Sequence, residues 1–136
     1  MSDSDTLLKL ANERFGKDLY ATQTTGIEIV EADVHYAKCK LQVDARHRNA
    51  MGAVMGGAIY TLADFAFAIA ANMDELNTVS SASNIVFVAQ PQGDTLFAEA
   101  KPVKEGNTVC HYQISVTDAA GNIVASITTT GVKIKR

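Results

Sequence analysis

The chain has no tryptophan, two prolines, two cysteines and only 7% aromatic residues. Two isolated cysteines, Cys39 and Cys110, cannot build a disulfide framework. Both fall in strand-like segments and read as reduced core residues of a cytoplasmic protein with no secretory leader. No CxxC, HExxH or comparable spacing occurs, so no metal site is expected. A basic block is missing too: 12 Lys and Arg stand against 15 Asp and Glu, for a net charge of -3. With a pI near 5.5, that balance speaks against a nucleic acid or a membrane surface as partner. The densest positive spot, Arg46-His47-Arg48, suits a phosphate or small anion, and Lys133, Lys135 and Arg136 form a thinner one. The most apolar stretch, 56–71, is too short to span a bilayer and carries Asp64 at its centre. Repeats, low-complexity tracts and linkers are absent.

What is present is enough for one folded unit. The 136 residues, 47% of them hydrophobic, fit a single domain with its own core, 1–136, in which 1–17 is an N-terminal helical extension. Residues 3–15 have the period of a short amphipathic helix, with Asp3 or Ser4 as cap, Leu7, Leu8, Ala11 and Phe15 as apolar stripe, and Gly16 at its end. Residues 26–33 alternate, and Ala37, Cys39, Leu41 and Val43 alternate more cleanly with Lys38, Lys40, Gln42 and Asp44, which predicts a half-buried antiparallel sheet. A loop over 45–55 leads into a long helix at about 56–73. Four strands follow, Val79–Ala89, Thr95–Val103, Thr108–Thr117 and Ile123–Lys135, separated by turn residues and expected to form a meander in which neighbours pair. The sum is an α+β fold: an antiparallel sheet of five or six strands with one long apolar helix against it. A helix apolar on nearly every side needs more cover than one sheet gives, so a homodimer at least is expected.

Asp64 is the sharpest functional lead, because a carboxylate seldom enters apolar surroundings unless it is paired or used. The segment from Asn49 through Met55-Gly56-Gly57 to Asp64 resembles the signature of the PaaI-like hotdog thioesterases, which place an Asn, a Gly, a His-Gly-Gly triplet and a helical Asp at matching separations. Gly93-Asp94-Thr95-Leu96 is similar to the family as well, and the likeness extends over roughly 20–135. The resemblance implies a hotdog fold, a long central helix wrapped by the antiparallel sheet. It further implies hydrolysis of acyl-CoA thioesters to a free acid and coenzyme A, with no cofactor beyond the coenzyme A of the substrate. Homodimers and homotetramers of paired dimers go with it. A hotdog hydratase would need a catalytic histidine beside the helix, and none is placed there.

By the same resemblance, Asp64 acts on the thioester carbon as nucleophile or as general base. Gly56 offers its N–H to the developing oxyanion at the positive end of the helix, beside Gly57. Asn49 positions the carbonyl or the water, and Ser81 and Ser83, two apart on the next strand, are candidates to contact the substrate or the carboxylate. The family histidine is Met55 here, and a thioether donates no hydrogen bond. A non-catalytic module that binds acyl thioesters is therefore the alternative. Helix geometry adds a constraint of its own. Eight residues separate Gly56 from Asp64, about 12 Å along a continuous helix, so one chain cannot bring both to the same carbonyl, and the site is expected to be shared between subunits.

Overall fold

The computed structural model describes residues 2–135; Met1 and Arg136 lie outside them. In chain order the elements are α1 (Asp3–Phe15), β1 (Ile27–Asp33), β2 (Tyr36–Gln42), α2 (Gly56–Asn72), β3 (Thr78–Phe87), β4 (Thr95–Glu105), β5 (Val109–Asp118) and β6 (Ile123–Lys133). A π-helical turn at Tyr20–Thr25 and a 3-10 turn at Ala45–His47 fill the longer connections. All six strands form one antiparallel sheet in the order β1-β2-β4-β5-β6-β3.

The alternation of β2 does what its pattern predicts: Ala37, Cys39, Leu41 and Val43 are buried against α2 and the polar partners face outward. Leu96, Ala98 and Ala100 of β4 continue that face, as do Ile114 and Val116 of β5. The Ala-rich α2 lies on this surface, and small residues at Ala63, Ala66 and Ala70 let it approach closely. Burial drives the Cys39 thiol up to about 12, so it is an inert apolar filler. Among the described residues no helix is long and apolar enough to cross a membrane.

Two expectations are corrected. The cap of α1 is Ser2, whose hydroxyl accepts from the Asp5 N–H while the Asp5 carboxylate accepts from the Ser2 N–H, a reciprocal box one residue before Asp3 and two before Ser4. The last four strands are also not a simple meander. β3 pairs with β6 at the sheet edge and not with β4, which lies between β2 and β5. Residues 88–94 make the crossover. The Val88 and Ala89 N–H groups donate to the Val124 carbonyl, and the Gln92 N–H donates to the buried carboxylate of Asp118. That carboxylate also accepts from Ala120 and Asn122, and these bonds hold it below the usual carboxylate range.

The end of α2 is fixed by one side chain. Asn72 is buried, and its amide donates to the Ala68 and Thr78 carbonyls while its oxygen accepts from the Asn77 and Thr78 N–H groups. Arg14 of α1 donates to the Asn72 and Met73 carbonyls, which ties the N-terminal extension to the last turn of α2.

Candidate active site

α2 is not buried on every side. Gly57, Tyr60, Thr61, Asp64 and Ala68 recur at helical spacing and form the one stripe that the sheet leaves uncovered. Asp64 therefore points out of the core. It lines a depression of about 310 Å³ together with Asp18, Tyr20, Thr61 and Phe65. No described residue gives its carboxylate a hydrogen bond or an ion pair. Burial raises the Asp64 carboxyl above its ordinary range, and the like charge of Asp18 raises it further. A half-buried carboxylate with no partner is what a nucleophile or base requires.

At the other end of the stripe a second depression, about 450 Å³, is lined by Met55, Gly57, Ala58, Thr61, Tyr20 and His47. Tyr20 and Thr61 border both hollows, so one groove follows the helix from its N-terminus past Asp64. The Met55 carbonyl accepts from Ala58 and Ile59, so α2 starts there, while the Gly56 and Gly57 N–H groups have no acceptor among the described residues. Met55 stands as N-cap with no capping bond and with 53% of its surface exposed. Gly56 lies against the end of the half-exposed Phe87 ring, which a Cβ there would meet at 2.9 Å and push aside.

The loop that delivers this helix start is anchored by His47, which the sequence grouped with Arg46 and Arg48 as a positive spot. It is 4% exposed. Its Nδ1 accepts from the Asp44 N–H and its Nε2 donates to the Thr25 carbonyl, the tautomer that these two partners dictate. Its own carbonyl accepts from the Met55 N–H at 2.8 Å. His47 thus joins the π-helical turn, the loop and the start of α2. His47→Ala is expected to lower stability by about 2–4 kcal/mol, read as a lower Tm in thermal unfolding; an unchanged Tm would remove it as the anchor.

The flanking arginines are committed to the same scaffold. Arg46 donates to the Gln23 and Thr24 carbonyls, and Arg48 donates to the Gly52 carbonyl and pairs with Asp94 at 2.8 Å. Asn49 holds the loop as well: its side-chain oxygen accepts from the Met51 and Ala53 N–H groups, leaving only its amide N–H free to donate to a ligand. Ser83 bonds the Thr129 hydroxyl, and Ser81, in a bulge of β3, bonds the Thr130 carbonyl. Neither serine hydrogen-bonds Asp64 of its own chain. The bulge also breaks the two-residue alternation on which their shared direction depended.

Within one chain the groove brings Met55, Gly57 and Thr61 to one end and Asp64 to the other. The unbroken helix keeps Gly56 and Asp64 about 12 Å apart along its axis. Asp18 and the 20–25 turn escaped the sequence reading because they belong to a connection with no periodicity. A larger hollow of about 710 Å³ lies at the far end of α2, but its Glu105 already pairs with Lys133 at 3.2 Å and faces His35 at 3.7 Å. No group of three His, Cys, Asp or Glu suited to a metal occurs among the described residues.

The family model described as the thioesterase superfamily matches residues 51–125, which takes in the helix start, Asp64, strands β3 to β5 and the first residues of β6. The acyl-coenzyme A thioesterase PaaI of Escherichia coli is 35% identical over 101 residues, 74% of this chain and 72% of that protein. A protein of Archaeoglobus fulgidus, provisionally described as an esterase, is 36% identical over 98 residues, and the match spans 64% of its length. The solved E. coli PaaI protein from the phenylacetic acid degradation operon superposes with a TM-score of 0.86 at 28% identity, covering 98% of this chain and 97% of that one. A hypothetical thioesterase of Streptococcus pneumoniae solved with coenzyme A shares the fold, at TM-score 0.82 and 21% identity, over 92% of this chain and 98% of that one. The helix wrapped by its antiparallel sheet and the sequence around Asp64 point the same way: the chain belongs to the thioesterase superfamily.

Proposed function

We propose that this protein hydrolyses acyl-CoA thioesters at a site completed by two copies of the chain. The observation that carries the reading is the separation, along one rigid helix, of an unpartnered carboxylate at Asp64 from unpartnered N–H groups at Gly56 and Gly57. The name of the E. coli relative supplies the substrate class. The Gly56 N–H of one copy polarises the thioester carbonyl, with the Asn49 amide as a second donor, and Asp64 of the other copy drives attack on the carbon. As a base, Asp64 takes a proton from water as the oxygen adds. The tetrahedral oxyanion then collapses, the C–S bond breaks, and the thiolate leaves and is protonated. As a nucleophile, Asp64 forms a mixed anhydride with release of the thiol, and water then cleaves the anhydride. The products are a carboxylic acid and coenzyme A in both cases.

The sheet edge supports a second copy. β3 runs for ten residues, TVSSASNIVF, without one charge or proline. Its last residues and the next are half exposed, Val86 at 54%, Phe87 at 52% and Val88 at 56%. A long, uncharged, unprotected edge is what folded proteins avoid unless another strand covers it. Pairing β3 with its counterpart would close both edges and set Phe87, beside Gly56, at the seam.

Complementation tests the shared site. Gly56→Pro removes the N–H and Asp64→Asn removes the carboxylate, so each variant alone should release thiol from acyl-CoA at least about a hundredfold more slowly than wild type. Mixed dimers of the two contain one intact site, and thiol release should return to about half the wild-type rate per mixed dimer. No recovery in verified mixed dimers would mean that each chain works alone. The exposed thioether of Met55 favours one other reading, a module that binds acyl thioesters without turnover. Tight binding with no thiol release, equal in wild type and Asp64→Ala, would establish it.

A further inference from the structure

The hollow around Asp64 holds a second carboxylate that the mechanism above does not use. Its remaining walls are Leu19, Tyr20, Ala21, Thr61, Phe65 and Ala68, all uncharged, so two anionic groups and no cation line it. The nearest cations on the adjoining elements are otherwise placed. Arg14 donates to the Asn72 and Met73 carbonyls and Arg46 donates to Gln23 and Thr24, while Lys17 lines an adjoining hollow that shares Asp18 and Ala68 with this one and does not itself line the Asp64 side. No described side chain or backbone group bonds the Asp18 carboxylate; the turn is held by its backbone, with Asp18 N–H donating to Phe15 and its carbonyl accepting from Thr22. The charge of Asp18 is felt at Asp64, whose carboxyl it helps to raise after the larger effect of burial.

We infer that Asp18 is a specificity-determining residue: beside Asp64, its charge bars acyl groups that carry a carboxylate of their own and restricts the groove to uncharged acyl chains. The inference rests on the thioesterase reading, with the acyl group lying in the Asp64 hollow. Asp18 is exposed and Asp64 half-buried, so water screens part of their repulsion, and the remainder disfavours a competitor that the apolar walls alone would accept.

The test compares kcat/KM for butanoyl-CoA and succinyl-CoA, which share a four-carbon acyl skeleton and differ in the terminal carboxylate. Wild type should favour butanoyl by at least tenfold. Asp18→Asn should narrow that ratio by about tenfold, and Asp18→Lys should narrow it further or invert it. Thermal unfolding checks that the turn survives. In parallel, equilibrium binding of the non-hydrolysable S-butyl-CoA and S-(3-carboxypropyl)-CoA to the same three proteins should show the same order. Absence of discrimination by wild type, or a ratio that neither variant changes, overturns the inference. Failure of every thioester to react sinks the enzymatic reading instead, and the binding ratios then decide the role of Asp18 on their own.

Discussion

Asp64→Asn should lower the rate of acyl-CoA hydrolysis by about 10²- to 10⁴-fold and leave the fold intact. The substitution keeps the shape of the side chain, and no described residue depends on that carboxylate for a hydrogen bond. Its removal also relieves the desolvation that raises the carboxyl, so Tm should be no lower than in wild type. Rate measured by thiol release with Tm measured alongside separates chemistry from stability. A variant that retains wild-type turnover would end the assignment of Asp64. The same environment predicts the pH profile. Asp64 works ionised, and burial with Asp18 lifts its pKa, so activity should fall on acidification at a pH above the ordinary carboxylate value of about 4. An initial burst of coenzyme A ahead of steady acid release would identify Asp64 as nucleophile.

Charging the free sheet edge should have an effect as large by another route. Asn84 and Val86 are both exposed on β3, so the double variant Asn84→Lys, Val86→Lys buries no charge within the chain. Across an edge-to-edge pairing it would set like charges in adjacent rows, the device by which natural edges refuse partners. The expected result is a folded monomer by light scattering, with unchanged secondary structure and hydrolysis reduced at least a hundredfold, because Asp64 of one copy no longer reaches Gly56 of another. A monomer that hydrolyses thioesters at the wild-type rate would refute the shared site. A variant that remains dimeric would place the interface elsewhere on the chain.

Several features were legible from residue order because they depend on local periodicity. The two-residue alternation of Ala37, Cys39, Leu41 and Val43 fixes which face of β2 is buried, and the fold buries all four. The Ala-rich run after Gly56-Gly57 specifies a continuous helix, and its length sets the spacing between Gly56 and Asp64. The residues around Asp64 were enough to indicate the family. Pairing between distant strands carries no local signal: β3 and β4 follow one another in the chain, yet β3 lies against β6, and the crossover between β3 and β4 bonds the Asp118 carboxylate.

Environment was likewise decided only in three dimensions. The sequence placed Asp64 in an apolar helix; the tertiary structure turns it onto the single uncovered stripe and sets Asp18 beside it. A buried role for His47 depends on the Thr25 carbonyl, twenty-two residues away in the chain, and cannot be read from its neighbours Arg46 and Arg48. Which residues alternate is a property of the backbone period and is written locally. Which carboxylate loses its water and which N–H keeps none of its partners depends on the segments that fold across them, and only the packed chain determines that.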